Sequence, residues 1–495
     1  MKVHLMHCDT DFNLQAKSCF GKDTLIADLE FSRIISTMAQ GDTIIQDVCN
    51  SALFCPLQTA KEIRYRQDVL QDCIDNPEVV RKLYAVTIET MERKHESWSW
   101  LSTRQNLSSN FSSAVNLLKI YTEMLQKMRN VAGMNMQNFQ SQGLRNFSSM
   151  LWSELDDHYF SQISSILNEL KDGTGMLISA KLGNYNQGIN YVMRRKEKTH
   201  FWRHWHFAPS FTLAPRDDAG ASDLSNRRAR AINESVNVLA QSAEHVESFF
   251  SILQKELAFY VGCLNLYDKL QALGMPVCIP KLLPSESESR VYDTLYDVSL
   301  ALTKDSSVMG NELHAEDKRL YIITGANQGG KSTLLRSIGQ AQLLMQCGMF
   351  VGAESYQAPI RNGVFTHFKK EEDTTMTSGK LDEELARMSE VANHLIPGSL
   401  MLLNESFAAT NEREGSEICR QITKALVDNG VEVFFVTHLY TFAVAFLDMK
   451  YSNVQYLSAQ RLQNGERTFK VIPGKPLQTA YGEDLYQKIF CSEAV

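Results

Sequence analysis

The pattern of apolar and polar positions divides the chain into a helical half and a half in which strands alternate with helices. Residues 24–76 predict helices around a loop at 53–57, and residues 78–172 continue with apolar side chains at helical spacing. No proline stands between Pro77 and Pro209. A proline inside a helix costs about 3 kcal/mol, so this proline-free span permits long helices.

The clearest predicted helix covers residues 234–273. Its apolar side chains recur at steps that alternate between three and four residues, which is the spacing of a heptad seam. The seam positions are Val236, Leu239, Ala243, Val246, Phe250, Leu253, Leu257, Tyr260, Leu264 and Tyr267. Gly274 and Pro276 are expected to end the helix. A rigid helix of this kind predicts either a scaffold or a lever that carries a small movement along the chain.

Residues 173–233 predict a small strand-and-loop insertion between helices. Glycines appear there, Met176 to Leu182 has the composition of a strand, and a run of basic and aromatic residues follows. Such a run suits phosphate contacts combined with base stacking. The alternative is a small sheet that packs its own aromatics under a solvated basic edge. The candidate DNA contacts are Arg194, Arg195, Lys196, Lys198, Trp202, Arg203 and Trp205.

Three short apolar runs in the second half predict strands, and each ends at polar residues. They cover residues 320–323, 399–403 and 431–436, and helical patterns separate them. Strands that alternate with helices indicate a parallel sheet with ligands at the carboxyl ends of the strands. The second run is followed by Asn404 and Glu405, and the third by His438 after one threonine. One bound nucleotide would explain all of these endings.

A phosphate-binding loop of the form G-x-x-x-x-G-K-S follows the first of these strands and precedes a helical pattern. Glycines let backbone N–H groups approach phosphate oxygens, and the helix N-terminus adds partial positive charge. Lys331 is expected to reach the β- and γ-phosphates, and the Ser332 hydroxyl is expected to ligate Mg²⁺. The predicted cofactors are ATP and Mg²⁺. The nucleotide-binding residues are Gly325, Ala326, Asn327, Gln328, Gly329, Gly330, Lys331, Ser332, Thr333 and Asn404.

Charge and composition limit the partners and the location. Fifty Lys and Arg against 57 Asp and Glu leave a net charge of −7, so DNA binding would depend on a local basic patch. No apolar run approaches the roughly 18 residues that cross a bilayer, and the N-terminus lacks a signal-peptide core. Ten scattered cysteines without a C-x-x-C pair predict reduced thiols in a cytoplasmic protein without a membrane partner.

The stretch T-G-A-N-Q-G-G-K-S-T at 324–333 resembles the nucleotide loop of the MutS family of DNA mismatch-repair ATPases, T-G-P-N-M-G-G-K-S-T. The resemblance covers roughly the last 200 residues well and the helical half in outline, from residues 53–70 onward. Further matching positions are Phe365, Thr366, Asn404, Glu405, Thr410, Gly415, Thr437 and His438.

The resemblance implies a multidomain fold, with an all-α core and lever domain followed by an α/β P-loop ATPase domain of the ABC type. The predicted domains are an N-terminal tail at 1–10, the core and lever at 11–273 with a clamp-like insertion at 173–233, and the ATPase at 274–495. It also implies that Glu405 positions or deprotonates the attacking water and that His438 senses the γ-phosphate. DNA, in structured or mismatched duplex form, and a second copy of the chain are the implied partners.

The sequence departs from the family pattern at several points. Asn404 stands where the family has an aspartate that holds Mg²⁺ through water, so the negative charge is lost and slow hydrolysis is expected. The serine that meets the partner subunit's ATP falls near Asp382 and Glu383, an acidic pair that would repel a phosphate. The alternative is that the nearby Ser378-Gly379-Lys380 replaces the serine segment with a gap. No aromatic stands at 308–311, where the family places one near the adenine. A preceding mismatch-reading domain and most of a terminal helix-turn-helix module are expected to be absent.

These implications predict a MutS-like ATPase of mismatch repair or recombination in which ATP switches the DNA-binding geometry. A nucleotide-gated scaffold that acts on protein partners without DNA is the alternative, and the acidic net charge and short insertion favour it. A transporter ATPase subunit is a third reading. The absence of a Leu-Ser-Gly-Gly-Gln type signature and the long helical first half argue against it.

Overall fold

The computed structural model describes residues 1–99, 107–171, 176–195, 211–370, 379–449, 451–462 and 467–476. The chain divides into two compact units. The first unit consists of Met1–Val3, Glu78–Phe139 and Leu144–Leu257, and the second consists of His4–Pro77, Gln140–Gly143 and Ala258–Val495. The domain boundaries at residues 10 and 273 stay predictions.

The first helices of the chain belong to the second unit. They are α1 (Lys22–Asp28), α2 (Phe31–Ala39), α3 (Thr43–Leu53) and α4 (Ala60–Asp75). The Asp42 side chain caps α3 by accepting the N–H groups of Ile44 and Ile45. Thr59 caps α4, because its hydroxyl oxygen accepts the N–H of Glu62 and the hydroxyl donates to the Glu62 carboxylate. The predicted loop at 53–57 therefore lies between α3 and α4.

The long helices predicted for residues 78–172 are present in the described residues. They are α5 (Pro77–Ser99), α6 (Leu107–Met134), α7 (Gln142–Glu154) and α8 (Asp157–Lys171). A hairpin follows them, formed by β1 (Leu177–Leu182) and β2 (Gly188–Arg194), which pair antiparallel. Met176 and Met193, both at the open end of the hairpin, pack on an apolar cluster of the first unit that includes Phe111 and Ile232.

The next helix, α9 (Asp218–Ala272), is one continuous element of 55 residues. Its seam side chains are buried from Ala243 to Leu264, and Gly274 ends it with φ +67°. The helix begins earlier than predicted, so the strand-and-loop assignment is wrong for residues 218–233. No proline follows Pro215 there, and the polar side chains suit a solvated helix with an Asp223–Arg227 ion pair at i, i+4.

Strands alternate with helices through the rest of the second unit. In chain order the elements are β3 (Lys281–Leu283), β4 (Arg290–Leu295), α10 (Val298–Lys304), β5 (Asn311–Ala315), β6 (Leu320–Gly325), α11 (Lys331–Gln346), β7 (Ser355–Pro359), β8 (Val364–Phe368), α12 (Lys380–Ala392), β9 (Leu400–Asn404), α13 (Glu412–Asp428), β10 (Glu432–Val436), α14 (Tyr440–Asp448), β11 (Val454–Arg461) and β12 (Arg467–Pro473).

These strands form two sheets. The six-stranded sheet has the order β12-β11-β6-β10-β9-β8, and the four-stranded sheet has the order β3-β7-β4-β5. All pairs of the six-stranded sheet are parallel except β11 with β12. Every residue of β6 and β10 is buried, as expected for a parallel sheet covered on both faces. The predicted parallel sheet is confirmed, with β6, β10 and β9 as neighbours.

A buried ion network joins the two sheets. Glu432 at the start of β10 accepts from Arg290 of β4 at 2.8 Å and from Arg361 at 2.8 Å. All three side chains are buried, and Arg290 also donates to the hydroxyl of Tyr356 on β7. Removing one member of such a network typically costs about 3–5 kcal/mol, because the remaining charge stays buried. The network therefore stabilises the packing of one sheet against the other.

Two sequence predictions concern thiols and membranes. Every cysteine in the described ranges is a free thiol. Among the helices of those ranges, none combines the length and the apolar character needed to cross a membrane.

Candidate nucleotide-binding site

The loop between β6 and α11 depends on backbone conformations that favour glycine. Gly325 has φ +107° and Gly330 has φ +91°. A Cβ on Gly330 would lie 2.9 Å from the carbonyl oxygen of Phe469 on β12, so a side chain does not fit there. Gln328 also adopts a left-handed conformation, with φ +56°. The loop is therefore compact and braced by the neighbouring strand.

Lys331, the first residue of α11, folds back over this loop. Its Nζ donates to the carbonyl oxygens of Gly325 and Ala326, each at 2.9 Å. Burial lowers the pKa of Lys331 to about 8, while Glu405 raises it and Arg467 lowers it further. The ammonium group thus lies at the mouth of the loop, where phosphate oxygens can replace the two carbonyl groups as its partners.

The ends of β9 and β10 place three polar side chains beside the loop. The Ser332 hydroxyl donates to Asn404 Oδ1 at 3.0 Å. His438 Nε2 lies 2.8 Å from Glu405 Oε1. The hydrogen bond from His438 is the main cause that holds the pKa of Glu405 below its ordinary value. Glu405 has φ +52°, a strained conformation for a residue other than glycine.

The parallel register explains why these groups meet. The N–H of Glu405 donates to the carbonyl of Val436, and the N–H of Thr437 donates to the carbonyl of Ile323. Backbone hydrogen bonds therefore connect the end of β10 to the ends of both neighbouring strands, β9 and β6. The lysine, the asparagine, the glutamate and the histidine that the sequence singled out come together at one edge of the sheet.

A cavity of about 340 Å³ opens at this edge. It is lined by most of the loop, by the strand end at Glu405, by α10, by the segment from 308 to the first residue of β5, and by β12. The lining residues are Leu300, Lys304, Val308, Met309, Asn311, Asn327, Gln328, Gly329, Gly330, Lys331, Ser332, Thr333, Glu405 and Phe469. The cavity has a basic, glycine-rich side and an apolar side.

The sequence did not indicate Phe469, Lys304 or Leu300 as part of the site. Phe469 supplies an aromatic ring that is absent from 308–311, and about half of it is exposed. Only the antiparallel pairing of β12 with β11 brings it to the loop, because β11 pairs directly with β6. No local sequence motif identifies a residue such as Phe469, which reaches the site only through the order of the strands in the sheet.

The oxygen atoms at the site suit Mg²⁺. Ser332 Oγ and Asn404 Oδ1 are neutral oxygen donors, and the Glu405 carboxylate follows Asn404 directly. Magnesium prefers oxygen ligands and is commonly held by one or two carboxylates together with substrate phosphates. The donor set fits the ion, with less negative charge than an aspartate at 404 would provide.

The candidate DNA contacts are described only in part. Arg194 Nε donates to Ser179 Oγ across the β1–β2 hairpin at 2.9 Å, and Arg195 forms an ion pair with Glu169 at 2.7 Å. The other five candidates lie outside the described residues. They are Lys196, Lys198, Trp202, Arg203 and Trp205. The DNA surface therefore stays a prediction.

The acidic pair predicted to face a partner subunit lies in the first turn of α12. Asp382 and Glu383 precede the buried Glu384, which accepts the N–H of Phe407 at 2.7 Å. Glu384 thereby ties α12 to the segment that follows Glu405.

His367 on β8 supports the same segment from inside the protein. Its Nδ1 lies 2.8 Å from Ser406 Oγ and its Nε2 lies 3.1 Å from the carbonyl oxygen of Glu384. Its ring stacks on Phe407 with 5.3 Å between the ring centroids. Burial, together with the charge of Arg387, lowers the pKa of His367 to about 4.

We expect this histidine to make the fold labile to acid. The pKa of the His367 imidazole is about 6.5 in the unfolded chain and about 4 in the folded chain. The neutral ring therefore contributes its full stabilisation above about pH 6.5, and this contribution is lost as the pH is lowered towards 4. Between about pH 7 and pH 5, protonation of His367 should lower the free energy of unfolding by about 2 kcal/mol. Calorimetric unfolding of a His367→Gln variant should show a smaller loss over this interval than the wild type. A His158→Gln control at an exposed position should match the wild type, and an unchanged loss in His367→Gln would contradict the assignment.

Two family models match the chain. A model of the MutS2 N-terminal domain matches residues 58–273. A model of MutS domain V matches residues 321–490. The second match contains the phosphate loop, the ends of β9 and β10, and β12.

Similar proteins with curated descriptions include bacterial and human relatives. A "DNA mismatch repair protein MutS" of Thermotoga neapolitana is 30% identical over 255 residues, which cover 50% of this chain and 30% of that protein. A "MutS protein homolog 4" of Homo sapiens is 27% identical over 190 residues, covering 37% and 20%. A "DNA mismatch repair protein MutS" of Desulfitobacterium hafniense is 26% identical over 200 residues, covering 39% and 23%. The matched region thus spans under a third of the length of these relatives.

Proposed function

This chain belongs to the MutS family and carries its ABC-type ATPase domain, and from that premise we propose that it binds and slowly hydrolyses ATP to switch its geometry of DNA binding. The observation that supports the proposal most strongly is the meeting of three parallel strand ends beside the cavity, where Ser332 contacts Asn404 and Glu405 contacts His438. Lys331 and Ser332 come from the first, Asn404 and Glu405 from the second, and His438 from the third.

The loop residues account for nucleotide binding. Backbone N–H groups of the loop and of the first turn of α11 face the phosphates, and the helix dipole favours negative charge there. Lys331 exchanges its two carbonyl partners for phosphate oxygens. Ser332 and Asn404 would hold Mg²⁺, which supplies charge neutralisation at the phosphates when it is bound. Phe469 offers a face on which the adenine can stack.

The pair of Glu405 and His438 accounts for hydrolysis. Glu405 is ionised near neutral pH, because its pKa is lowered chiefly by the hydrogen bond from His438. An ionised carboxylate at this position can orient a water molecule and accept its proton during attack on the γ-phosphate. His438 is then the residue that positions Glu405 and responds to the presence of the γ-phosphate.

We expect an Asn404→Asp variant to hydrolyse ATP at least about tenfold faster than the wild type in the presence of Mg²⁺. The added carboxylate restores the charge that helps to hold the ion beside the transferred phosphate. Steady-state phosphate release at saturating ATP is the measurement, with Asn411→Asp on the N-cap of α13 as the control. Equal rates for the Asn404→Asp variant and the wild type would remove the explanation for slow turnover.

DNA is the proposed partner because the relatives are described as mismatch-repair proteins and because a basic, aromatic run follows β2. The proposed pathway is mismatch repair or recombination, and the protein is proposed to act in the cytoplasm as a homodimer. In that dimer, Asp382 and Glu383 would meet the partner's nucleotide in place of a serine, which would weaken activation between subunits.

The decisive test of the proposed function is fluorescence anisotropy with perfect, mismatched and four-way-junction DNA. It is run with and without a non-hydrolysable ATP analogue, at about 50 and 200 mM salt. We expect affinity that depends on nucleotide and falls steeply with salt, since phosphate contacts release counterions. An Arg194→Gln, Arg195→Gln double variant should bind DNA more weakly. Flat titrations for every DNA would refute the DNA switch.

The alternative function is a nucleotide-gated scaffold for protein partners. The net charge of −7 favours it, and so do the existing contacts of Arg194 and Arg195 within the first unit. A protein that binds the ATP analogue but no DNA at the lower salt concentration would support the scaffold.

A further inference from the structure

The charges around the nucleotide cavity are unusual for a site that depends on a metal ion. Among the described residues that line it, Glu405 is the single carboxylate, while Lys304 and Lys331 contribute two positive charges. Asn404 contributes an amide oxygen instead of a second carboxylate. The protein therefore offers more positive charge to the phosphates and less negative charge to a cation than a site with Asp at 404.

Arg467, the first residue of β12, adds a third positive charge at the edge of this cavity. Its Nη1 donates to the side-chain oxygen of Gln328 at 3.2 Å, and Gln328 lines the cavity. In the part of the chain that the structure describes, no carboxylate forms an ion pair with Arg467. Its charge is close enough to Lys331 to lower the pKa of that lysine. A phosphate group attracted to Lys331 is thus attracted to Arg467 as well.

The position of Arg467 is built into the sheet. The backbone of Phe469 packs against Gly330 so closely that a Cβ would lie 2.9 Å from its carbonyl oxygen. Two residues further on, the N–H of Val471 donates to Asn311 Oδ1 at 2.7 Å. The first contact holds β12 against the phosphate loop, and the second holds it against the first residue of β5. The guanidinium group is therefore presented by a fixed strand at one side of the loop.

We propose that Arg467 supplies a resident positive charge to the nucleotide phosphates, so that ATP binding, in contrast to hydrolysis, requires little divalent metal. This inference rests on the proposed ATP binding at the same cavity. An arginine can form charge-assisted hydrogen bonds to phosphate oxygens and remains charged at every physiological pH. It takes over part of the neutralisation that Mg²⁺ usually supplies, and Asn404 avoids the repulsion that a carboxylate would exert on metal-free ATP.

The first experiment compares ATP affinity with excess Mg²⁺ and with excess EDTA, using isothermal titration calorimetry on the full chain. We expect the dissociation constant in EDTA to exceed that in Mg²⁺ by less than about tenfold, which is 1.4 kcal/mol. A larger ratio overturns the inference. If ATP fails to bind even with Mg²⁺, the proposed nucleotide function fails instead, so the two failures are distinguishable.

The second experiment assigns the effect to Arg467. An Arg467→Gln variant keeps a donor that can reach Gln328 but loses the charge, and it should bind ATP in EDTA at least about tenfold more weakly. Lys470→Gln is the matched control, because it removes one charge from the same strand at an exposed residue that pairs with Glu312. Equal losses of ATP affinity in the two variants, or no loss of affinity in Arg467→Gln, would show that Arg467 does not supply the proposed charge.

The third experiment tests the contribution of Asn404. An Asn404→Asp variant should raise the ratio of the two dissociation constants above that of the wild type, because the new carboxylate repels free ATP and attracts Mg²⁺. An unchanged ratio would show that the amide at 404 does not contribute to metal-independent binding, and that part of the proposal would be wrong.

Discussion

A Lys331→Ala variant is expected to lose ATP affinity by about 100-fold, because the strongest charge contact to the phosphates is removed. Lys331 Nζ already lies at the mouth of the loop, bound to two backbone carbonyl groups that a phosphate can replace. The measurement is titration with a fluorescent ATP analogue. Lys424→Ala provides the control, since Lys424 is an exposed residue of α13 that pairs with Asp428.

Loss of affinity must be separated from loss of fold. Lys331→Met keeps the apolar stem in its buried position and removes only the ammonium group. The two variants should therefore lose affinity equally while their thermal unfolding midpoints stay close to that of the wild type. A Met variant that binds ATP within about threefold of the wild type would contradict the proposed role of the charge.

A Glu405→Gln variant is expected to lower the rate of ATP hydrolysis by at least about 100-fold, since general-base assistance typically contributes about 10²–10⁴-fold. The amide keeps the size of the side chain and its ability to bond His438, but it cannot accept a proton from water. ATP affinity should change by less than about threefold, because Lys331 and the loop still bind the phosphates. Single-turnover hydrolysis measures the chemical step without product release.

The slow turnover expected from Asn404 could hide this loss. The Glu405→Gln substitution should therefore also be measured in the faster Asn404→Asp background, where the same factor is expected. Glu417→Gln, on the exposed face of α13, serves as the control because it removes a carboxylate that pairs only locally with Arg420. A Glu405→Gln variant that hydrolyses ATP at the wild-type rate would exclude Glu405 as the base.

The sequence was sufficient to predict those elements whose formation depends on residues close together along the chain. The phosphate loop needs glycines at positions of positive φ, and both Gly325 and Gly330 have positive φ. The heptad seam predicts α9 because the same periodic side chains must be buried along one stripe. The three strands were evident because a strand buried on both faces needs an uninterrupted apolar run. Each of these signals lies within about 40 residues or fewer along the chain.

The start of α9 shows where local signals fail. Residues 218–230 are mostly polar and exposed, and only Ala231 and Ile232 at the end of the segment are buried, so the pattern resembles a loop. The segment contains no proline, and it continues an element whose later turns are buried. Most of the energy that orders residues 218–230 therefore comes from the turns that follow them, so periodicity within these residues gives no signal.

Contiguous motifs were enough to identify the family, the phosphate loop and the residues that end β6, β9 and β10. Strand order is known from the three-dimensional structure alone, and it brings Glu405 to His438 and Arg467 to Gln328. Arg467 and Phe469 follow the loop by more than 130 residues, a separation that β11 closes by pairing with both β6 and β12. The physical reason is that strand order depends on the packing of the whole unit, whereas a turn or a strand depends mainly on the residues within it.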